Sequence, residues 1–199
     1  GRELHSEIEK KGFGANEIAI GNALVDMYMK FSLLCEAQYQ FDHLLVRNVI
    51  SWTVIISGYV EHNQGQEAVE CFEHMQLEGV SPNSVTYLFA LKACGDLENI
   101  QKGEELHSDI ERAGLFGNNL FIGSALLNMY FKFGLHEKAQ KVFDEILERN
   151  IVLWNSVIGG YVELGHHQRA LECFEQMQLE SISPNGITYV FSLKACTNI

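Results

Sequence analysis

An all-α fold, a superhelical α-solenoid of antiparallel helix pairs, is the class this sequence predicts, and three observations predict it. The chain of 199 residues repeats itself at an offset of 102 residues with no gap. The segment NVISWTVIISGYVEHNQGQEAVECFEHMQLEGVSPN at 48–83 returns as NIVLWNSVIGGYVELGHHQRALECFEQMQLESISPN at 150–185. Self-similarity at a fixed period marks an architecture of stacked units, each able to bury its apolar face only against the next. Within each period the apolar residues recur at helical spacing. Only two prolines occur, Pro82 and Pro184, and they occupy equivalent places. Proline is the strongest helix breaker, so this scarcity suits a chain that is nearly all helix.

The elements follow in order. In the segment 49–83, Trp52, Ile55, Ile56, Tyr59 and Val60 form one stripe of an amphipathic helix spanning about 51–60. Asn63-Gln64-Gly65 breaks it. A second helix starts at Gln66, with Ala68, Val69, Phe72, Met75 and Gln76 on its apolar face. Gly79 stops it, and Ser81-Pro82-Asn83 turns the chain into the next helix. The segment 84–119 repeats the plan. Tyr87, Leu88, Leu91, Ala93 and Cys94 lie in its first helix, and its second runs over about 100–112 and ends at Gly114. In 120–150 the first helix carries Ala125, Leu126, Met129 and Tyr130, and the second carries Ala139, Val142, Phe143, Ile146 and Leu147. These three segments are 35, 36 and 31 residues long, which together make the period. Segment 151–185 repeats the 35-residue unit, and 18–48 is an earlier 31-residue unit. Residues 1–17 form the back half of a 36-residue unit, and 186–199 the front half of another. About twelve helices are expected. The first helices of successive pairs should line one continuous inner surface, with Phe72, Met75, Phe174, Met177, Trp52 and Trp154 as core.

Composition narrows the function. A hydrophobic content of 47% supports a true core and argues against disorder. No run of about 18 apolar residues exists, so no membrane-crossing helix is expected. The chain begins GRELHSEI, with no charged-then-apolar leader and inside a repeat, so extension on both sides is expected. The five cysteines, Cys35, Cys71, Cys94, Cys173 and Cys196, form no C-x-x-C pair and predict buried thiols between helices. The net charge of −12, taken alone, argues against a polyanionic partner.

Three signatures carry a resemblance: WTVIISGYVEHNQGQEAVECFEHMQLEGVSPN, GEELHSDIERAGL and GSALLNMYFKFGLHEKAQKVFDEILERN. In this order and at these lengths they resemble the P, L and S motifs of the pentatricopeptide repeat family, in its plant-type PLS subclass. The resemblance covers the whole chain: partial L at 1–17, S at 18–48, P at 49–83, L at 84–119, S at 120–150, P at 151–185 and partial L at 186–199. It implies a right-handed superhelix. It also implies binding of single-stranded organellar RNA, one base per motif, as the recognition tract of an organellar RNA-editing (C-to-U) or processing factor. The location implied is the mitochondrion or chloroplast. Protein editing co-factors are implied as further partners, and neither DNA nor a membrane is. Repeats that read one base through two or three side chains are an established module type.

In the family the base is specified by the fifth and last residues of a motif and sandwiched at the second. The resemblance therefore assigns Asn22 and Asn48 with Ala19, and Thr53 and Asn83 with Ile50. It assigns Ser124 and Asn150 with Phe121, and Asn155 and Asn185 with Val152. The pairing rules imply a pyrimidine for Asn with Asn, and adenine for Thr or Ser with Asn. The L motifs carry Leu88 (with Asn119) and Val190 at the fifth position, which cannot hydrogen-bond a base. The implied footprint is pyrimidine-A-N-A-pyrimidine. Lys30 and Lys132, two turns after the fifth residue, are implied phosphate contacts. The P motifs depart from this pattern with Glu61 and Glu163, for which Lys92 and Lys194 offer compensation.

The residues support the same faces independently. Asn22, Asp26 and Lys30 share one helix face at i, i+4 and i+8, and so do Ser124, Asn128 and Lys132. Thr53, Ser57 and Glu61 follow, as do Asn155, Gly159 and Glu163. Amides and hydroxyls in such a column donate and accept to base edges. The motif-final asparagines are equally natural N-caps and turn residues. Many acidic residues, such as Glu67, Glu70, Glu73, Glu137, Glu145 and Glu172, fall in the second helices and are expected in the outer layer. No enzyme or cofactor is expected. His5-Ser6-Glu7 is a formal H-x-E, the start of a zinc deaminase signature, but no C-x-x-C follows it. His166-His167 has no thiol or carboxylate at ligand spacing. The alternative reading is a helical-repeat scaffold for a protein partner, and a cut array leaves end faces open to self-association.

Overall fold

The computed structural model describes residues 1–11, 13, 17–117 and 119–197. Among them the chain forms twelve α-helices and no strand. They are α1 (Arg2–Lys10), α2 (Ile18–Lys30), α3 (Leu34–Asp42), α4 (Val49–Glu61), α5 (Gly65–Leu77) and α6 (Ser84–Asp96). There follow α7 (Ile100–Arg112), α8 (Leu120–Lys132), α9 (His136–Glu145), α10 (Ile151–Glu163), α11 (His167–Leu179) and α12 (Gly186–Cys196). No helix among the described residues is long and apolar enough to cross a membrane.

Two compact units divide the chain, Gly1–Ala93 and Cys94–Ile199. In the first, α2 packs on α3 and α4, and α4 packs on α5. In the second, α8 packs on α9 and α10, and α10 packs on α11 and α12. Within the units α2, α8 and α10 thus each touch their own partner and the first helix of the next pair. The stripe on α4 explains why: Trp52, Ile55, Ile56, Tyr59 and Val60 are all buried. Its equivalents on α10, among them Trp154, Val157, Ile158 and Tyr161, are buried as well. Fully burying such a side chain stabilises by about 1.5–3 kcal/mol, so the stack is held by the faces between pairs.

The 102-residue symmetry extends to polar packing. The Arg47 guanidinium lies 4.9 Å from the Phe41 ring centroid, donates to the Phe41 and Asp42 carbonyls and pairs with Glu78. Arg149 does the same with Phe143, Asp144 and Glu180, 4.6 Å from its ring. Tyr59 Oη donates to Gln38 at 2.7 Å, and Tyr161 Oη donates to Gln140 at 2.8 Å. Each contact ties a 31-residue segment to the 35-residue segment after it.

Several expectations change. Leu147 is 89% exposed, because α9 ends at Glu145 and Ile146 turns to extended backbone, with ψ 117°. Gln76 is exposed rather than apolar-face. Gly65 opens α5 instead of breaking the chain before it. Only Cys94 is buried; Cys71 and Cys173 are partly buried, and Cys35 and Cys196 are exposed. Cys196 lies on α12, which no later helix covers among the described residues. Burial pushes the thiols of Cys71 and Cys173 up to about 12, so both stay protonated at neutral pH. Asn63, Ser32 and Ser181 occupy left-handed backbone just past helix ends, where Gly165, Gly134 and Gly79 sit in the other copy, and Glu98 does so after α6.

Candidate nucleic-acid interface

The first helices α4, α6, α8, α10 and α12 start directly after Asn48, Asn83, Asn119, Asn150 and Asn185. Each of these asparagines caps its helix through Oδ1. Asn48 accepts from the Ile50 and Ser51 amides, Asn83 from Thr86, and Asn119 from Phe121 and Ile122. Asn150 accepts from Val152 and Leu153, and Asn185 from Thr188. A backbone N–H can only donate, so the atom facing it is the oxygen, and the Nδ2 group is turned away from the helix. The cap is worth about 1 kcal/mol per helix. The same bond therefore serves stability and fixes which side of the amide is left for a ligand.

The fifth residues are recessed and the second residues protrude. Asn22 is buried, and its Oδ1 has no hydrogen-bond partner among the described residues. Thr53, Ser124 and Asn155 are half-buried. Beside them Ile50 (57%), Phe121 (79%) and Val152 (54%) are exposed, as is Ala19. Within each unit, apolar side chains standing open beside polar clefts form shelves, the form a stacked aromatic ring fits.

In the two 35-residue segments the fifth and last residues are brought together. Thr53 Oγ1 lies 2.8 Å from Thr86 Oγ1, which in turn donates to Asn83 Oδ1 at 3.0 Å. Asn155 Nδ2 donates to Asn185 Oδ1 at 3.3 Å, and Thr188 Oγ1 donates to Asn155 Oδ1 at 2.7 Å. The 31-residue segments differ. Ser124 Oγ pairs with Ser156 Oγ at 3.0 Å, and no hydrogen bond joins Asn22 to Asn48 among the described residues.

Sequence reasoning missed the third residue of the following segment. Thr86 and Thr188 are fully buried and Ser51 nearly so, and each closes a hydrogen-bonded loop on the preceding asparagine. The signal was present: Asn-x-x-Thr or Asn-x-x-Ser before an apolar run is a capping pattern. It also missed Val85 and Ile187, exposed second residues of the 36-residue segments.

The cations are less available than their spacing suggests. Lys30 is exposed, but its Nζ donates to Asp26 at 2.6 Å. That hydrogen bond and the charge of Asp26 push its pKa upward. Lys132 pairs with Asp96. Lys30 thus keeps its charge, and each lysine already has a carboxylate. Lys92 and Lys194 are exposed. Among the named acidic side chains, Glu70, Glu73, Glu137, Glu145 and Glu172 are exposed on the second helices, and Glu67 is half-buried there. The H-x-E histidine and its copy have structural work instead. His5 Nδ1 lies 2.6 Å from Tyr28 Oη, and His107 Nδ1 lies 2.8 Å from Tyr130 Oη. Burial lowers the pKa of His107, which keeps it a neutral packing group. No cluster of three or more metal-ligating side chains exists among the described residues.

The comparisons agree with this architecture. The profile of the PPR repeat family matches residues 47–96 and 149–198, and that of the PPR repeat matches 124–151. The pentatricopeptide repeat-containing protein CRR2, chloroplastic, of Arabidopsis thaliana is 37% identical over 200 residues, covering 100% of this chain and 30% of that protein. The mitochondrial pentatricopeptide repeat-containing protein At3g24000 of the same plant is 34% identical, covering 100% of this chain and 31% of its own length. The chain thus spans under a third of these relatives. Among solved structures, the pentatricopeptide repeat protein PPR10 in complex with an 18-nt psaJ RNA element superposes with a TM-score of 0.74 at 19% identity, over 96% of this chain and 29% of that one. The structure of the pentatricopeptide repeat protein PPR10 from maize gives 0.72 at 20% identity, over 89% and 26%. With a gapless helical repeat, the same first-helix starts in every segment and these matches, the chain belongs to the pentatricopeptide repeat family.

Proposed function

We propose that this chain binds single-stranded RNA in a sequence-specific way, one base per motif, as the recognition tract of an organellar RNA-editing or processing factor. One observation carries the reading. In each 35-residue segment two polar side chains converge in a recess whose rim is apolar on both sides. Ile50 and Val85 flank the Thr53–Asn83 recess, and Val152 and Ile187 flank Asn155–Asn185. A flat base stacks between the rims and presents its edge to the floor. The RNA complex of PPR10 and the chloroplastic and mitochondrial names of the relatives favour the same reading.

The motif boundaries 18–48, 49–83, 84–119, 120–150 and 151–185 give the order of bases, pyrimidine-A-N-A-pyrimidine from 5′ to 3′. Asn22 with Asn48 and Asn155 with Asn185 take the pyrimidines, and Thr53 with Asn83 and Ser124 with Asn150 take the adenines. Ala19, Ile50, Phe121 and Val152 stack. Lys30 and Lys132 meet phosphate once they leave their carboxylates. The test is a gel-shift titration with an RNA centred on this pentamer and with one carrying guanine for both adenines. Tighter binding of the first by about tenfold or more is expected, from about 1–3 kcal/mol per misread base. Equal binding at both moderate and low salt would sink the base assignments. The competing reading, a scaffold for a protein partner, is favoured by Leu77 and Leu179, 82% and 85% exposed on the acidic second helices.

A further inference from the structure

We infer that Thr86 and Thr188, the third residues of the helices that follow each 35-residue segment, are specificity-determining positioning residues. They set which atoms the neighbouring base-reading pair shows to RNA. The inference rests on the RNA-reading proposal above and assigns a role to residues outside its base-reading set.

The proton count makes the case. A threonine hydroxyl has one proton and two lone pairs. Thr86 lies fully buried beneath the pair. Its amide donates to Asn83 Oδ1 at 2.9 Å, and its hydroxyl lies 3.0 Å from the same oxygen and 2.8 Å from Thr53 Oγ1. Thr53 Oγ1 is also 2.7 Å from the Val49 carbonyl, which can only accept. If Thr86 gives its proton to Asn83, Thr53 donates inward to Thr86 or to Val49. If Thr86 gives it to Thr53, Thr53 donates to Val49. In either arrangement the Thr53 proton points inward and its remaining lone pair faces out, while Asn83 turns Nδ2 outward. The pair shows an acceptor beside a donor. The Watson–Crick edge of adenine offers the complement, an exocyclic amino group beside a ring nitrogen acceptor. Guanine offers the reverse, a carbonyl beside an N–H, and is rejected because like groups face each other.

The second copy gives a different output from the same device. Thr188, also fully buried, lies 2.7 Å from Asn155 Oδ1 and 3.1 Å from Asn185 Oδ1, and its amide holds the latter at 3.0 Å. Asn155 Nδ2 adds a bond to Asn185 Oδ1 at 3.3 Å. Both amide oxygens are drawn inward, so the outward groups are amide N–H donors. These suit the carbonyl-bearing edge of a pyrimidine. The segment 120–150 shows the device absent. Its follower has Leu153 at this place, Asn150 is held by backbone amides alone, and Ser124 turns to Ser156. A buried third-position hydroxyl that reaches the fifth residue as well as the last, as Thr86 and Thr188 do and Ser51 beside Asn48 does not, thus separates a locked reading pair from an unlocked one.

The test uses the full chain and two RNA series. One varies only the base facing 49–83, adenine against guanine; the other varies only the base facing 151–185, cytosine against adenine. Thr86→Val keeps shape and removes the hydroxyl. It is expected to lower the adenine-to-guanine preference about fivefold, the value of one oriented hydrogen bond, and to leave the second series unchanged. Thr188→Val should do the converse, and Thr86→Ser should restore wild-type preference. A purely structural cap would lower the melting temperature and affinity for all RNAs alike, with ratios intact, and that outcome overturns the inference. If Thr86→Val does not fold, Thr188→Val decides by its own series. If Thr53→Ala abolishes the preference while Thr86→Val leaves it whole, the RNA reading survives and this inference fails. If the wild-type chain has no preference in either series, both fail.

Discussion

The segments 49–83 and 151–185 share a scaffold almost residue for residue, and they differ in what lies beneath, within and behind it. Beneath the first helix, Gly58 faces Met29 and its copy Gly160 faces Phe131. Within the reading pair, Thr53 becomes Asn155. Behind it, the turn after the second helix has Gly79 in one copy and Ser181 in the other. The first difference is packing, the second is side-chain chemistry in the proposed reading pair, and the third is backbone conformation. Each separates one physical layer from the others on a common frame.

The packing difference should give the largest effect. A Cβ on Gly160 would stand 2.3 Å from ring atoms of Phe131, itself buried at 4% exposure and packed edge-to-face on Tyr161. A rigid ring in a filled core has nowhere to move, so Gly160→Ala should destabilise by about 2–3 kcal/mol, less the ~1 kcal/mol that alanine gains as a helix former. At Gly58 the closest atoms, at 2.5 and 2.7 Å, belong to the thioether chain of Met29. Methionine re-packs readily, so Gly58→Ala should be near neutral. Urea unfolding of both variants checks this; equal losses would show that the two copies are packed with the same tolerance.

The ligand difference comes next. Thr53→Asn recreates the second reading pair on the first scaffold, since Thr86 and Asn83 are already in place as Thr188 and Asn185 are. The base preferred at that motif should move from adenine to a pyrimidine by about tenfold, with melting temperature little changed. Competition binding with RNAs varied at that one base measures it. A preference that stays with adenine would mean that Thr53 does not take part in choosing the base.

These layers were unequally legible in the sequence. The helices were plain, because Trp52, Ile55, Ile56 and Tyr59 have one period and one burial environment. The offset of 102 residues then placed every copy. The fifth and last residues were legible only by resemblance, because a half-buried Thr53 and an exposed one look the same in a string. The third-position hydroxyls were not legible as part of the site. Thr86 and Thr188 carry no mark of their own in the string, and only tertiary packing shows them buried between two side chains from the preceding segment. The pairing of Lys132 with Asp96 was hidden for the same reason, since 36 residues separate the partners. Leu147 shows the opposite failure: its apolar character fitted the helical period, but the helix ended before reaching it.

The backbone difference is smaller. Ser181 has φ 61° where Gly79 has φ 75°. Left-handed backbone costs an L-residue about 1–2 kcal/mol, part of which glycine loses again through its freer unfolded chain. Ser181→Gly should therefore stabilise by about 0.5–1 kcal/mol, and Gly79→Ala should destabilise by a similar amount. Thermal melts of the two variants read the difference directly. If Ser181→Gly is neutral, the hydroxyl at that turn makes up for the strain.

The smallest effect concerns charge, and it carries the comparison to the segments 18–48 and 120–150. Lys30 is paired with Asp26 on its own helix, four residues away, whereas Lys132 is paired with Asp96 from a different helix. An exposed pair within one helix is weak and screened by salt, so Lys30 can exchange its carboxylate for a phosphate at little cost. Lys132 gives up a contact that also ties α8 to α6. Replacing each with alanine should therefore have unequal consequences for RNA binding. A phosphate fully neutralised contributes about 0.7 to the slope of log affinity against log salt on a single strand. Lys30→Ala should reduce the slope by up to that amount, and Lys132→Ala by less. Titrations at several salt concentrations give both slopes. If neither changes, phosphate is met by other groups, such as Lys92 and Lys194, and the lysines serve only their carboxylates.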